Sequence, residues 1–147
     1  MDCTTKAAPK LNVTNTHTLS ICCVPQILVI DRQNGPADIF MDIIGRMANR
    51  DLSITSAYNS NEAEHALAHC SYDLVVMGLD DRQFASLDMI PTIRAQIPDL
   101  PVIVIGDRYT ERCAECIQKY GAREYIALPD RAADLKTAVK HIRDSYL

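Results

Sequence analysis

Short apolar runs alternate with longer amphipathic segments along most of the chain. The runs predict five strands, over residues 26–31, 52–57, 73–78, 101–106 and 123–128. Runs such as ILVI and VIVI have no polar interruption, which is typical of strands buried on both faces of a parallel sheet. The segments between and after the strands predict five helices. The boundaries are 34–50, 61–70, a shorter helix within 80–98, 110–121 and 130–147.

Apolar residues at helical spacing predict which face of each helix is buried. The stripes are Ile39, Phe40, Ile43, Ile44 and Met47; Ala63, Ala66, Leu67 and Cys70; Ile90, Ile93 and Ile97; and Leu135, Ala138, Val139 and Ile142. Pro36 suits the first position of its helix, and Asp130 suits the N-cap of the last one. Gly121 is a usual residue for ending a helix. Pro91 either opens its helix in the first turn or kinks it.

Alternating strands and helices predict an α/β fold, a (βα)5 doubly wound parallel sheet with helices on both faces. The 147 residues suit one domain. We assign that domain to residues 25–147. Residues 1–24 are rich in Thr and Asn with no clear period, and they predict a flexible N-terminal tail.

Composition and charge narrow the class of partner. The chain is 48% hydrophobic and 23% charged, with a net charge of −4 and a sequence pI near 5.5. This acidic balance disfavours direct contact with nucleic acid. No apolar run is long enough to span a membrane and no signal peptide is evident, so we expect a cytoplasmic protein. The irregular spacing of six cysteines then predicts free thiols.

Candidate chemistry concentrates at the carboxyl ends of the predicted strands, where open parallel sheets bind ligands. Asp31 and Arg32 follow the first strand, and Gly78, Asp80 and Asp81 follow the third. The carboxylates would suit a divalent cation. The alternative, which we favour, is that Arg32 or Arg82 neutralises Asp31 or Asp80 without metal.

Two other cysteine and histidine patterns carry less weight. Cys113 and Cys116 form a CxxC pair that lies about one turn inside a predicted helix, and we interpret them as ordinary helix residues. His65 and His69 lie one turn apart and predict a solvated helix face. No nucleophile motif and no glycine-rich phosphate loop occurs in the sequence.

The order of these segments resembles the receiver domain of bacterial two-component response regulators, over residues 26–143. ILVID is similar to the first strand of that family with its acidic end, and YDLVVMG to the strand that ends in the phosphoacceptor aspartate. PVIVIGD is similar to the fourth strand and GAREYIALP to the fifth. The resemblance implies a flavodoxin-like sheet with strand order 2-1-3-4-5.

Residue by residue, the resemblance also implies that the phosphorylation pocket is degenerate. Asp31 keeps one acid of the family's pair, and Arg32 replaces the other. Gly78 falls on the phosphoacceptor aspartate, Gly106 on the Thr or Ser, and Leu128 on the lysine. Aspartyl phosphorylation needs a carboxylate nucleophile and a metal to offset charge, so these four replacements remove it.

Other positions keep the family pattern. Tyr125 falls on the switch-position aromatic, and Pro129 on the proline that follows a cis peptide bond in the family. Asp80 and Pro129 complete the predicted degenerate pocket, and Tyr125 is predicted separately as the switch position. Since the nucleophile is absent, the resemblance implies no enzyme activity, no cofactor and no bound metal.

The resulting hypothesis is a pseudo-receiver that acts in signal transduction or transcription regulation through protein contacts. We expect a homodimer through the fourth helix, fifth strand and fifth helix, and an effector domain in the same or a separate chain. The predicted surface comprises Glu111, Arg112, Glu115, Lys119, Arg123, Asp130, Lys136 and Arg143. Two alternatives stay open: a phosphorelay receiver that uses Asp80 or Asp81, and a regulatory domain that binds a small ligand in the emptied pocket.

Overall fold

Five parallel strands form one sheet in the order β2-β1-β3-β4-β5. A computed structural model describes residues 24–47, 51–79, 85–107, 115, 117–128 and 132–147. The strands are β1 (Gln26–Ile30), β2 (Ser53–Ala57), β3 (Leu74–Leu79), β4 (Val102–Gly106) and β5 (Glu124–Ala127). All four pairings are parallel. The predicted fold class and strand order are confirmed.

Four helices with defined bounds connect or follow the strands. They are α1 (Pro36–Met47), α2 (Ser60–His69), α3 (Met89–Gln96) and α4 (Ala132–Tyr146), with a 3-10 turn at Ala85–Asp88 before α3. Glu115, Ile117 and Gln118 are also helical, within the predicted helix 110–121. Pro36 is the first residue of α1, as predicted, and Pro91 lies in the first turn of α3.

Two apolar cores lie on opposite faces of the sheet. Phe40, Met41 and Ile44 of α1 and Ile142 of α4 pack against one face. Ala63 of α2 and Ile90 and Ile93 of α3 pack against the other. The central strands β1, β3 and β4 contribute to both cores because successive side chains point to opposite faces. This arrangement explains why their sequences are apolar without alternation.

The buried face of α1 differs from the predicted stripe. Ile39 is 43% exposed and Met47 is 39% exposed, whereas Ala37 and Met41 are buried. Apolar residues cover most of the circumference of this helix, so periodicity alone does not select one face. The contact with the sheet favours the side that carries Ala37, Phe40, Met41 and Ile44.

The helix ends show how local sequence defines the elements. Asn59 caps α2 by accepting a hydrogen bond from the Glu62 N–H at 2.9 Å, while the Glu62 carboxylate accepts one from the Tyr58 N–H at 2.8 Å. This reciprocal pair is similar to a capping box, except that the Glu62 carboxylate accepts from Tyr58, the residue before the N-cap. Gly121 has a φ of +88°, the left-handed conformation expected where a glycine ends a helix.

Cys70, which follows α2, is disulfide-bonded. The prediction of free thiols is therefore wrong for this residue. Its partner cysteine lies outside the described residues, as do Cys113 and Cys116 and the predicted cap Asp130. Sequence spacing did not reveal the bond, because pairing depends on which cysteines the fold brings together.

Within the described ranges, none of the helices has the length and apolarity that a membrane crossing requires. The predicted tail, residues 1–24, lies outside the described residues except for Val24. Its flexibility stays a prediction.

Candidate functional site

The strand ends that carry the predicted pocket lie side by side at the carboxyl end of the sheet. Ile30 of β1 is in register with Met77 of β3, so the next residues, Asp31 and Gly78, are neighbours. Gly106 of β4 is in register with Leu79 on one side and Ala127 on the other. Four of the predicted pocket residues therefore lie at this carboxyl end of the sheet: Asp31, Gly78, Gly106 and Leu128.

Asp31 is the only buried charged or polar residue among those described, with 9% of its surface exposed. Its Oδ1 accepts a hydrogen bond from the Arg32 N–H at 2.8 Å. Its Oδ2 accepts two more, from the Ala37 N–H at 2.9 Å and the Asp38 N–H at 3.1 Å. Ala37 and Asp38 are the second and third residues of α1, whose N–H groups have no partner within the helix. Asp31 thus caps α1 from the preceding strand.

Two opposing influences act on the Asp31 carboxyl. Burial raises its pKa, and the three backbone N–H donors and the Arg32 charge lower it without cancelling the effect of burial. The net pKa is above the ordinary value. A carboxylate held this way neutralises the positive end of α1 and exposes little charge to solvent.

The Asp31 carboxyl also occupies the side-chain space of two glycines. A Cβ atom at Gly78, or one at Gly35 in the turn before α1, would overlap the carboxyl group of Asp31. The tip of β3 therefore lacks a side chain and has Asp31 lying over it. The sequence suggests an empty space at this position, whereas in the structure the Asp31 carboxyl occupies it.

The tip of β4 is filled in a similar way by Tyr125 of β5. A Cβ atom at Gly106 would overlap the Tyr125 hydroxyl. Tyr125 is 7% exposed and belongs to the core on the α2 and α3 side of the sheet. The residue at the predicted switch position is thus buried, with its hydroxyl where a Thr or Ser side chain would begin.

Leu128 and Arg32 complete the described part of the site. Leu128 is half-buried and packs against the core on the α1 and α4 side, and its N–H donates to the Gly106 carbonyl at 2.7 Å. Arg32 is exposed, and its positive charge lowers the pKa of Asp31. An aliphatic side chain at position 128 supplies no cation to hold an anion.

Asp80, Asp81, Arg82 and Pro129 lie outside the described residues. The predicted ion pairs of Asp80 and the cis bond before Pro129 therefore stay predictions. Among the residues that the structure describes, no three His, Cys, Asp or Glu side chains are close enough together to hold a metal ion.

The predicted dimer surface is described in part. Glu115, Lys119, Arg123 and Lys136 are exposed, and Arg143 is half-buried with its Nε 3.5 Å from the Asp144 carboxylate. The other three members, Glu111, Arg112 and Asp130, lie outside the described residues. The exposed members carry charge of both signs.

A polar cluster joins β5 to the end of α4 beside that surface. His141 Nε2 lies 2.9 Å from Glu124 Oε2, and the Tyr146 hydroxyl donates to Glu124 Oε1. Burial raises the pKa of the Tyr146 hydroxyl, and the nearby Glu124 carboxylate raises it further. These contacts fix the last turn of α4 against the first residue of β5.

Sequence reasoning missed the two residues that fill the strand tips. It assigned Asp31 to a degenerate pocket in which an arginine neutralises the carboxylate, and Tyr125 to a switch position, and it did not include Gly35 in the site. One signal was available: Gly78 and Gly106 lie at the carboxyl ends of β3 and β4, and Gly35 lies in the turn after β1. Only the side-chain positions show which residue occupies which space.

Comparison with known proteins supports the fold. No protein-family model matches the chain, and no curated protein sequence matches it. Among solved structures, a response regulator from Thermotoga maritima has a TM-score of 0.65 at 24% identity, covering 82% of this chain and 96% of that one. The receiver domain of NtrC4 from Aquifex aeolicus has a TM-score of 0.58 at 20% identity, covering 82% and 98%.

A third similar structure is the response regulator TrrA from Thermotoga maritima in complex with Mg²⁺ and BeF. It has a TM-score of 0.60 at 23% identity and covers 81% of this chain and 99% of that one. Together with the strand order, these likenesses show that the chain has the fold of response-regulator receiver domains. The three alignments extend over nearly the whole of the similar chains.

Proposed function

We propose that this chain is a receiver-fold module for signal transduction or transcription regulation that works through protein contacts and without aspartyl phosphorylation. One observation carries the proposal: the Asp31 carboxyl fills the side-chain space of Gly78. A phosphoacceptor needs a carboxylate at that strand tip with free access to a phosphodonor and a metal. Here the position has no side chain, and its space is taken.

The other described pocket residues support the same proposal. Leu128 supplies no positive charge, and Gly106 supplies no hydroxyl. Tyr125 is already buried against the tip of β4. With these residues, the conformation of the domain does not depend on whether a phosphoryl group is present.

Incubation with acetyl phosphate and Mg²⁺, followed by intact mass measurement, tests the loss of phosphorylation. We expect no mass increase, while a phosphorylatable receiver domain treated in parallel gains one phosphoryl group. An adduct of one phosphate on this chain would contradict the proposal. Peptide mapping would then show whether Asp80 or Asp81 carries the phosphate, which is the phosphorelay alternative.

The protein contact that we propose is a homodimer through the surface of Glu115, Lys119, Arg123 and Lys136. A symmetric dimer places the same patch on both subunits, so opposite charges within the patch can pair across the axis. The described members of the patch are exposed and carry both signs. An effector domain in the same chain or a separate one belongs to this proposal as well. So does a cytoplasmic location, against which the Cys70 disulfide counts because disulfides are rare in a reducing compartment.

Sedimentation at several concentrations tests the dimer. We expect Glu115→Arg to weaken association, because exposed ion pairs contribute about 0.2–1 kcal/mol each and a symmetric dimer loses two. Glu64→Arg, at an exposed position on α2, makes the same charge change elsewhere and should leave association unaltered. A monomer at all concentrations, or equal effects of both variants, would contradict this surface.

A further inference from the structure

The outer edge of β2 is the most exposed part of the described sheet. Ile54, Thr55 and Ser56 are all exposed, whereas β1, β3 and β4 are buried along almost their full length. The sequence of β2 has no charged residue and no proline. Sheet edges usually carry such residues, because free backbone N–H and C=O groups readily accept another strand.

The pairing with β1 shows which backbone groups of β2 point outward. The Ser53 N–H donates to Pro25, and the Ala57 carbonyl accepts from the Asp31 N–H. Since backbone groups of successive residues point to alternate sides of a strand, Ile54 and Ser56 direct theirs away from β1. Their two N–H and two C=O groups form a short ladder site on the outer edge.

The chain that precedes β1 starts next to this edge. Pro25 lies beside Ser53 at the amino end of β2. Neighbouring strands are about 4.8 Å apart, so the outer side of β2 is about 10 Å from β1. Three or four extended residues span that distance. Residues 22–25 are therefore enough to pass from β1 to the outer side of β2.

The residues before this crossing have the pattern of a strand. From Leu11 to Ile21, apolar residues occupy only odd positions, and the even positions hold Asn, Thr or Ser. The segment has no Lys, Arg, Asp or Glu, and β-branched residues are frequent in it. Such alternation is typical of a strand with one covered face. The prediction of a tail over residues 1–24 overlooked this alternation.

The disulfide of Cys70 is an independent observation at the same place. The Asp73 N–H donates to the Gln26 carbonyl at 2.7 Å, and the Asp73 carboxylate accepts from the Gln26 N–H at 2.8 Å. Cys70 shortly precedes Asp73 in the sequence, so it lies near the start of β1 in space. Cys22 and Cys23 precede Gln26 by four and three residues.

We propose that residues 11–21 form a sixth strand, antiparallel to β2 on its outer edge, and that Cys22 or Cys23 is the partner of Cys70. The strand is antiparallel because the chain must reach the amino end of the sheet before it enters β1. Eleven extended residues span about 36 Å, more than the roughly 17 Å of β2. The proposal is independent of the phosphorylation chemistry and of the dimer surface.

Residue-resolved amide hydrogen exchange on the full-length oxidised chain tests the added strand. We expect the Ile54 and Ser56 amides to exchange at least about tenfold more slowly than unpaired amides, because both would be hydrogen-bonded. Thr16→Pro together with His17→Pro should remove this protection, since one of two adjacent N–H groups must face β2. Val104, buried in β4, reports whether the variant is still folded.

Thr4→Pro with Thr5→Pro is the matched control, because it places the same two prolines outside residues 11–21. We expect it to leave Ile54 and Ser56 protected. Unprotected Ile54 and Ser56 amides in the unaltered chain would overturn the proposal, and so would equal exchange in the two proline variants. Protection that disappears on dilution would also overturn it and assign the edge to a second copy of the chain.

Peptide mapping without reduction tests the anchor. We expect Cys70 to be linked to the peptide that contains Cys22 and Cys23. Single Cys22→Ser and Cys23→Ser variants then show which of the two is bonded. A link from Cys70 to Cys3, Cys113 or Cys116, or a free Cys70, would overturn this part of the proposal.

Discussion

The tips of β3 and β4 each carry a glycine, Gly78 as the penultimate residue of β3 and Gly106 as the last residue of β4, but each glycine accommodates a different kind of neighbour. Over Gly78 lies the Asp31 carboxyl, a charged group that accepts three backbone N–H bonds and caps α1. Over Gly106 lies the hydroxyl of Tyr125, whose ring belongs to the core. Asp31, in the polar turn after β1, fills the tip of β3, and Tyr125, from the apolar core on the α2 and α3 side, fills the tip of β4.

This difference predicts different consequences of adding a side chain. At position 78 a new group must displace a hydrogen-bonded carboxylate, which exposes helix N–H groups and brings charges together. At position 106 a new group must displace one aromatic side chain, that of Tyr125. The overlap is relieved if the ring adopts another rotamer or if its hydroxyl is removed by mutation. The first site should therefore be less tolerant than the second.

The largest expected effect is that of Gly78→Asp, which puts an aspartate at the position of the family's phosphoacceptor. We expect the free energy of unfolding to fall by about 3 kcal/mol or more, because the new side chain overlaps Asp31 and adds a second carboxylate to a buried place. Urea denaturation measures the loss. Adding Asp31→Ala should recover part of it through a coupling of about 0.5–3 kcal/mol. Strict additivity of the two changes would show that Asp31 does not lie over Gly78.

Gly106→Ala is expected to have the next largest effect, a loss of about 1–3 kcal/mol from overpacking. The Cβ atom overlaps the Tyr125 hydroxyl, so the ring has to shift. Adding Tyr125→Phe removes that hydroxyl and should restore most of the loss. Thermal or urea unfolding of the single and double variants checks this. If Tyr125→Phe gave no rescue, the close contact at the tip of β4 would be refuted.

Tyr125→Phe alone should have a smaller effect, a loss of about 0.5–1.5 kcal/mol, the usual contribution of one hydrogen-bonding group. The ring stays in the core, so the loss reflects only the hydroxyl. Tyr58→Phe is the matched control at a tyrosine that is 46% exposed, and we expect no measurable change there. An equal loss in both variants would show that the buried hydroxyl is not special.

The smallest expected effect is the pH dependence of stability that comes from the Asp31 carboxyl at the tip of β3. Its pKa is raised in the folded protein, so the folded state binds this proton more tightly than the unfolded state. The contribution of Asp31 to stability is therefore greatest below the ordinary aspartate value of about 3.9 and falls as pH rises through the raised value.

Asp31→Asn removes this titration and serves as the reference. The stability difference between the unaltered chain and the variant should decrease as pH rises through that window and then become constant. Urea denaturation across the window measures it. An increase in the difference with rising pH would mean that the three N–H donors outweigh burial and that the pKa is lowered instead.

The central sheet was predictable because burial on both faces leaves a direct record in the sequence. The runs in β1, β3 and β4 are apolar without alternation, and no competing element fits them. The buried face of α1 was not predictable, because apolar residues occur around most of the helix and the contact with the sheet selects among them. The Cys70 disulfide was missed for a related reason: cysteine spacing does not show which residues the fold brings together.

The composition of the candidate site was predictable, but its geometry was not. Resemblance identified Gly78, Gly106 and Leu128 as departures from the receiver pattern. It did not show that Asp31 and Tyr125 fill the spaces that the glycines leave. Side-chain direction depends on the turn at Gly35 and on the packing of β5, which are tertiary features without a local sequence signal.

The shared carboxylate of Asp31 also has a consequence for local opening of the native state. The first turn of α1 and the tip of β3 are far apart in sequence, yet both depend on one side chain. Fraying of the helix start would release the carboxyl from the strand tip, and movement of the strand tip would uncap the helix. The two segments should therefore open and close as one cooperative unit, with similar opening free energies.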